Sequence, residues 1–263
     1  MRRLLALGLA VTALGGLAAL RPHRPNVAPE VVTQAAPAPE RAPAPAAPPQ
    51  QPAAANAPPP VRLVPISGEE PARVAPALGD SKRVIVYLHG FCSDTSGVHE
   101  WAGAAQRHAT LIAPHGELGC DGQPGRYRWG NDVRFIDYRI QRAIRSVSKA
   151  TGVELDRTSV TLVGYSEGAA RAESLIWLFP DHYRRAALMS GPEVPAFDKV
   201  RQLERLAVLR GEREYRRTYR LAAEHFDRAG VSSRFWELPG ASHGGLGPEG
   251  PRVLGEVFDY LMP

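Results

Sequence analysis

Apolar positions follow two different periods along the chain, and these periods alternate from residue 83 to the end. Short, continuous apolar runs rich in β-branched residues are typical of strands buried in a parallel sheet. Apolar residues at steps of three and four are typical of amphipathic helices. The runs predict strands at Arg83–Leu88, Thr110–Ala113, Ser159–Val163, Ala186–Met189, Leu206–Leu209 and Arg234–Leu238. The helical period predicts helices at Val98–His108, Asp132–Ala150, Glu167–Phe179, Tyr215–Ala229 and Gly250–Leu261.

The alternation of strands and helices predicts an α/β fold. In this fold a mainly parallel sheet is covered by helices on both of its faces. Ligands of such sheets bind beyond the carboxyl ends of the strands. We therefore expect the functional side chains among the residues that follow each strand.

The first 60 residues show neither period and divide into two parts. Residues 1–20 have a short basic start and then an apolar run, which is the layout of a secretory signal peptide. Residues 21–60 are rich in proline and alanine and predict a disordered linker. The catalytic domain is then predicted at 61–263, in an exported protein that is periplasmic or secreted. If the signal stays uncleaved it anchors the chain, and only in that case is membrane contact expected.

Charge and composition exclude several classes of function. The net charge is +5, and arginine supplies most of the basic side chains. The basic stretch 213–220 has the spacing of a solvated helix face and lacks the interleaved aromatic residues of a single-strand nucleic-acid platform. No nucleic-acid partner is therefore predicted. The sequence also contains no metal-ligand cluster, phosphate-binding loop or dinucleotide fingerprint, so no metal and no cofactor are predicted.

Ser166 is the predicted nucleophile. It lies in Gly-Tyr-Ser-Glu-Gly at 164–168, directly after a predicted buried strand and directly before a strong helix former. In this context the flanking glycines permit a tight strand-to-helix turn that lifts the serine hydroxyl above the sheet. The positive end of the following helix also favours a developing oxyanion.

His243 is the predicted base, since a serine hydroxyl needs one within hydrogen-bond reach. It lies in a short glycine-rich loop between the last predicted strand and the last helix; a solvent-exposed loop histidine is the alternative. The orienting carboxylate is expected between serine and histidine in the chain, at the end of a strand. Glu212 and Glu214 follow the strand Leu206–Leu209. Glu214 is preferred because it lies past the turn, and Glu212 is the alternative.

The backbone N–H groups of Phe91 and Glu167 form the predicted oxyanion hole. Gly90 lets the chain bend after the strand Arg83–Leu88, so that the N–H of Phe91 can point to the site of the developing charge. Glu167 supplies the second N–H because it directly follows the nucleophile. His89, in the same turn as Phe91, is interpreted as a structural residue and not as the base.

The chain has two cysteines, Cys92 and Cys120. An even number of cysteines in an exported chain indicates a disulfide, with two free thiols as the alternative. A bond between these residues would brace the turn that carries Phe91. Tyr127 and Trp129, in the glycine-rich loop at 116–130, are candidates for a wall of the site or for packing anchors.

Four motifs together resemble the α/β-hydrolase superfamily over residues 83–261: His-Gly-Phe at 89–91, the pentapeptide at 164–168, the carboxylates after Gly211, and Ser-His-Gly at 242–244. Within it the chain is similar to small exported serine esterases, polyhydroxybutyrate-depolymerase-like or feruloyl-esterase-like enzymes. The resemblance implies the α/β-hydrolase fold and ester hydrolysis. Its usual acid is aspartate, where this chain has Glu214. The segment between residues 189 and 206 is too short for a large lid, which predicts an open site.

The sequence thus predicts a serine-dependent hydrolase that cleaves a carboxylic ester through an acyl-enzyme. An open site suits a small acyl group or a polymer-linked one, so the expected partner is a small-molecule or polymer ester. Two alternatives stay open. A serine peptidase or amidase can use the same triad, although the peptidase branches usually carry an added domain. A non-catalytic exported binding protein can keep the fold, although loss of a triad residue would be its mark and none is lost.

Overall fold

The computed structural model describes residues 59–263. The predicted signal at 1–20 and nearly all of the predicted linker at 21–60 lie outside these described residues. Within them the chain forms ten strands and six helices: β1 (Arg62–Val64), β2 (Ala72–Ala75), β3 (Val84–Leu88), α1 (Val98–Gln106), β4 (Thr110–Ala113), β5 (Leu118–Cys120), β6 (Gln123–Arg128), α2 (Val133–Thr151), β7 (Val160–Tyr165), α3 (Glu167–Leu178), β8 (Tyr183–Met189), α4 (Phe197–Val200), β9 (Arg205–Gly211), α5 (Arg217–Arg228), β10 (Ser233–Leu238) and α6 (Gly250–Leu261).

One eight-stranded sheet has the order β1-β2-β4-β3-β7-β8-β9-β10. Every pairing from β4 to β10 is parallel, whereas β2 runs antiparallel to both of its neighbours. Strands β5 and β6 form a separate antiparallel hairpin. The predicted mainly parallel α/β sheet is therefore confirmed.

Helices cover both faces of this sheet. On one face α1 and α6 bury Trp101 and Phe258. On the other face α2, α3 and α5 bury Ile140, Leu175 and Phe226. Between β8 and β9 the chain contains only loops and the four-residue α4, which confirms that no large lid follows β8. None of the helices within 59–263 is long and apolar enough to cross a membrane.

Helix α2 shows how the sequence pattern becomes structure. Asp132 caps its start, because the side chain accepts a hydrogen bond from the N–H of Phe135 at 3.0 Å. Gly152 ends it in the left-handed conformation with φ 74°. Between these ends the isoleucines at 136, 140 and 144 are buried at helical spacing against the sheet. Its observed bounds lie within one residue of the prediction.

The structure contains elements that the sequence pattern did not predict. Strand β1 and the hairpin β5–β6 are largely exposed, and the edge strand β2 has only four residues, so none of them gives a clear strand pattern. The stretch 213–220 is not one helix face, because α5 begins at Arg217. Residues 213–216 instead form the turn after β9, and this turn carries Glu214.

Candidate active site

Ser166 lies at the sharp turn between β7 and α3, with φ 52° and ψ −117°. Its N–H donates to the carbonyl of Met189 at 2.9 Å, so the turn is fastened to the end of β8. The flanking glycines are required by close packing. A Cβ on Gly164 would lie 2.5 Å from the carbonyl oxygen of Gly168, and one on Gly168 would lie 2.0 Å from that of Leu88. Only glycine therefore allows α3 to start this close to β3 and β7.

The structure brings Ser166, His243 and Glu214 together at the carboxyl edge of the sheet. The Ser166 Oγ lies 3.0 Å from His243 Nε2. His243 Nδ1 lies 2.9 Å from Glu214 Oε1. Nδ1–H donating to the carboxylate leaves the lone pair of Nε2 facing the serine hydroxyl, which is the tautomer a general base needs. The three residues follow β7, β10 and β9, which are separate strands of one sheet.

Glu214 is held in an environment of hydrogen-bond donors. Its side chain is 7% exposed, whereas that of His243 is 54% exposed. Burial alone would raise the pKa of Glu214, but hydrogen bonds from Ser190, His243 and the Gly211 N–H, together with the nearby guanidinium of Arg210, lower it below its ordinary value. The carboxylate is therefore ionised at neutral pH and available to orient the imidazole.

Glu212, the alternative acid, has a different contact. Its carboxylate accepts a hydrogen bond from the N–H of Gly240 at 2.7 Å. This contact ties the turn after β9 to the loop that leads to His243. Of the two carboxylates, Glu214 is the one within hydrogen-bond distance of the imidazole.

The structure is similar to solved structures of known proteins, although the sequence is not similar to a known family. No protein-family model and no curated protein sequence matches the chain. The solved structure of esterase PE8 matches at 19% identity and a TM-score of 0.54, over 72% of this chain and 97% of that one. A Bacillus cereus carboxylesterase matches at 16% identity and a TM-score of 0.55, over 74% and 96%. The chain has the α/β-hydrolase fold. Naproxen esterase (carboxylesterase NP) from Bacillus subtilis is also similar, at 14% identity and a TM-score of 0.52, over 76% of this chain and 92% of that one.

In this α/β-hydrolase fold the two predicted oxyanion donors lie next to the turn that carries Ser166. Phe91 follows β3, which pairs with β7, and Glu167 is the first residue of α3. Neither backbone N–H donates a hydrogen bond to another of the described residues. The Glu167 carboxylate is engaged elsewhere, because it accepts from the N–H of Trp129 at 3.1 Å. Both N–H groups are therefore unengaged beside the serine.

A cleft of about 500 Å³ opens beside Ser166 and His243. Phe91, Tyr165 and Leu246 contribute apolar surface, and the Phe91 side chain is prominent because the residue is 63% exposed. A polar rim is formed by Asp94 and Arg126, whose side chains pair at 3.4 Å. The cleft thus combines an apolar wall with a charged rim.

Trp129 and Tyr127 do not line this cleft. Trp129 is buried, its ring packs 5.1 Å from the His89 ring, and its Nε1–H donates to the His89 carbonyl at 2.9 Å. Tyr127 pairs its backbone with Ser93 and packs its ring 4.7 Å from that of His115. Of the two roles considered for these aromatic residues, packing is the one the structure gives them.

His89 is a structural residue, as the sequence indicates. Its Nδ1 lies 2.8 Å from the Gly90 carbonyl, and its Nε2 accepts from the N–H of Gly116 at 2.9 Å. These two partners fix the neutral tautomer, with the proton on Nδ1. Burial lowers the pKa of His89 to about 4, and the Gly90 hydrogen bond opposes this shift only in part. The neutral imidazole therefore joins the turn after β3 to the loop after β4.

This pKa predicts a pH dependence of stability. The pKa of His89 is lower in the folded state than in the unfolded state, so the unfolded state binds the proton first. Stability is then complete above about pH 6.5 and is lost toward pH 4, by on the order of 3 kcal/mol. Urea unfolding between these pH values should show His89→Gln losing less stability than the wild type. His115 titrates in both proteins and cancels in the difference. If the free energy of unfolding fell equally with pH in the two proteins, His89 would not be the source of the pH dependence.

The structure forms the predicted disulfide between Cys92 and Cys120, with their Cα atoms 5.7 Å apart. It joins the loop after β3 to the end of β5. The backbones of Ser93 and Tyr127 reinforce the connection with hydrogen bonds of 3.1 and 2.8 Å. Because Cys92 is adjacent to Phe91, the disulfide and these hydrogen bonds restrain the loop that carries the predicted oxyanion donor Phe91.

Removal of the disulfide is predicted to lower both stability and activity. The bond closes a loop with a sequence separation of 28. A loop of this size corresponds to about 3 to 4 kcal/mol of unfolding free energy. The Cys92→Ala/Cys120→Ala variant should lose this amount in urea unfolding, and its kcat should fall because the Phe91 loop is less restrained. If the variant matched the oxidised wild type in both measurements, the disulfide would have no such bracing role.

The sequence did not single out the residues that surround the acid. Ser190, Arg210 and Tyr165 all lie at ends of strands, where functional residues were expected. Ser190 and Arg210 belong to no recognised motif, and Tyr165 is a variable position of the pentapeptide at 164–168. Arg210 Nε lies 3.7 Å from Glu214 Oε1. The ring of Tyr165 lies 5.6 Å from that of His243, and its hydroxyl accepts from the N–H of Gly244. No group of three or more potential metal ligands occurs within residues 59–263.

Proposed function

We propose that this protein is a serine-dependent hydrolase that cleaves a carboxylic ester through an acyl-enzyme intermediate. The observation that carries the proposal is the continuous relay of hydrogen bonds from Ser166 through His243 to Glu214, at 3.0 and 2.9 Å. A buried acid, an exposed base and a nucleophile on a strained turn are what acyl transfer by serine needs.

The proposed reaction has two halves. Ser166 Oγ attacks the ester carbonyl carbon while His243 Nε2 takes the hydroxyl proton, and Glu214 stabilises the resulting imidazolium. The N–H groups of Phe91 and Glu167 donate to the tetrahedral oxyanion. The intermediate collapses as His243 returns the proton to the leaving alcohol. Water then attacks the acyl-enzyme with His243 as base, which releases the acid and restores Ser166.

The open cleft supports a small or polymer-linked acyl group. A cleft of about 500 Å³ without a lid can admit a compact acyl group or the end of a polymer, and it leaves a long lipid tail exposed to water. The disulfide supports the export that the N-terminal residues predict, because such bonds persist in oxidising compartments. The solved structures named above include carboxylesterases, which favours ester over amide cleavage.

The proposal is tested by substrate choice with the oxidised full chain. We expect hydrolysis of p-nitrophenyl esters from acetate to octanoate, with kcat/KM highest for the short acyl chains. Matched p-nitroanilides should be hydrolysed far more slowly. Comparable rates on the anilides would favour an amidase. No turnover of either series by the folded protein would favour a binding protein.

A further inference from the structure

We propose that Ser190 is a positioning residue for the acid of the triad: its hydroxyl holds Glu214 Oε2 so that Oε1 faces His243. This inference rests on the proposed function, in which Glu214 orients the base.

The contact between Ser190 and Glu214 is short and buried. The Ser190 Oγ–H donates to Glu214 Oε2 at 2.5 Å, within the range of hydrogen bonds to a charged carboxylate. Ser190 itself is 2% exposed. The Gly211 N–H donates to the same Oε2 at 2.8 Å. Two donors therefore fix Oε2 and leave Oε1 for His243 Nδ1.

The position of Ser190 in the sheet gives it access to two parts of the triad at once. Strand β8 lies between β7, which leads to the nucleophile, and β9, which leads to the acid. The Met189 carbonyl accepts from the N–H of Ser166 at 2.9 Å, and the next residue donates its hydroxyl to Glu214. The end of β8 thus sets the nucleophile and the acid relative to each other.

The backbone of Ser190 is strained. Its φ is 46°, a left-handed conformation that glycine adopts at no such cost. Strain of this kind lowers stability and clusters in proteins at active sites. At this position the side chain is a hydroxyl whose hydrogen-bond partner is the triad acid.

A glutamate needs this support more than an aspartate would. Its extra methylene adds a rotatable bond between the backbone and the carboxylate, so more contacts are required to hold one orientation. The charged and titratable groups near Glu214 come from four elements: Arg210 at the end of β9, Tyr165 at the end of β7, Tyr219 on α5 and His243 after β10. Among these, His243 is the group that Oε1 must face.

The test compares Ser190→Ala and Ser190→Gly with the wild type on a short p-nitrophenyl ester. Both variants lack the hydroxyl, and Ser190→Gly also relieves the strained φ, so it keeps the fold if alanine does not. We expect kcat to fall about 10- to 100-fold with little change of KM. Without the hydroxyl, Glu214 Oε1 is no longer held toward His243 Nδ1, so the carboxylate stabilises the imidazolium form less. The acid limb of the kcat/KM profile should therefore move to lower pH.

Two further comparisons of variants distinguish a positioning role of Ser190 from a general structural effect of losing a buried hydroxyl. Ser233→Ala removes another buried serine hydroxyl, one without a partner among the described residues, at the start of β10; it should keep wild-type kcat and pH profile. In the Glu214→Ala background, Ser190→Ala should change kcat by less than about threefold, because residues that act through one another are not additive.

The outcomes distinguish this inference from the proposed function. Absence of ester hydrolysis by the wild type, or equal hydrolysis by Ser166→Ala, would reject the proposed function itself. An active wild type with unchanged kcat and pH profile in both Ser190 variants would overturn the role of Ser190. Equal losses with and without Glu214 would also overturn it, since Ser190 would then not act through the acid.

Discussion

Replacing Ser166 with alanine is expected to reduce kcat/KM for a short p-nitrophenyl ester on the order of 10⁵-fold. The variant removes the oxygen that lies 3.0 Å from His243 Nε2 in the wild type and that attacks the substrate in the proposed reaction. Alanine keeps the Cβ of residue 166, which packs close to Gly90: a Cβ built on Gly90 would lie 3.3 Å from it. The packing of the turn is therefore unchanged. The measurement is initial-rate hydrolysis beside circular dichroism of both proteins.

Ser166→Gly serves as the matched variant. Glycine removes the same hydroxyl and also tolerates the φ of 52°, which costs about 1 kcal/mol or more for other residues. We therefore expect it to be as inactive as Ser166→Ala and more stable in urea. A variant that kept more than a hundredth of wild-type activity, with the fold intact, would be incompatible with Ser166 as nucleophile.

Gly168→Ala is expected to destabilise the protein by about 3 kcal/mol or more and to abolish activity. An added Cβ would lie 2.0 Å from the Leu88 carbonyl oxygen and 2.7 Å from that of His89. Both contacts are backbone atoms, so relief requires α3 to move away from β3. That movement shifts Ser166 and the N–H of Glu167 together. Urea unfolding and ester hydrolysis measure the two effects.

Gly103→Ala is the control for this prediction. Gly103 lies in α1, and a Cβ there would meet nothing within 4 Å. In a helix interior this substitution should increase stability by about 0.5 to 1 kcal/mol and leave activity unchanged. If Gly168→Ala behaved like Gly103→Ala, the close approach of α3 to β3 would not be what requires glycine in the pentapeptide.

The fold was largely predictable because its central strands are short, continuous apolar runs. β4 and α6 have the predicted bounds, β3 differs by one residue at its start, and α2 differs by one residue at each end. The parts that pattern did not reveal are those with few buried side chains. β6 consists of Gln-Pro-Gly-Arg-Tyr-Arg, which is mostly exposed and is held by pairing with β5 and by the Ser93–Tyr127 bridge. Contacts such as the Ser93–Tyr127 bridge join residues far apart in the chain, and the spacing of apolar residues within a short segment does not reveal them.

The candidate site was predictable where local sequence fixes local geometry. The pentapeptide around Ser166 specifies a turn, and the loop around His243 follows a strand, so both could be inferred. The sequence favours Glu214 over Glu212 by its position past the turn, but the orientation of the two carboxylates depends on contacts with the loop after β10, which only the structure shows. Ser190 was missed for a related reason. A single serine after a strand has no motif, and its importance emerges only from the contact with Glu214.

The central claim, an acyl-enzyme on Ser166, is tested most directly by mass spectrometry of the full chain quenched in acid during turnover of a slowly deacylating ester. We expect an added mass equal to the acyl group, located by peptide mapping on Ser166 and absent from Ser166→Ala. Turnover without any adduct, or an adduct located on another residue, would contradict it.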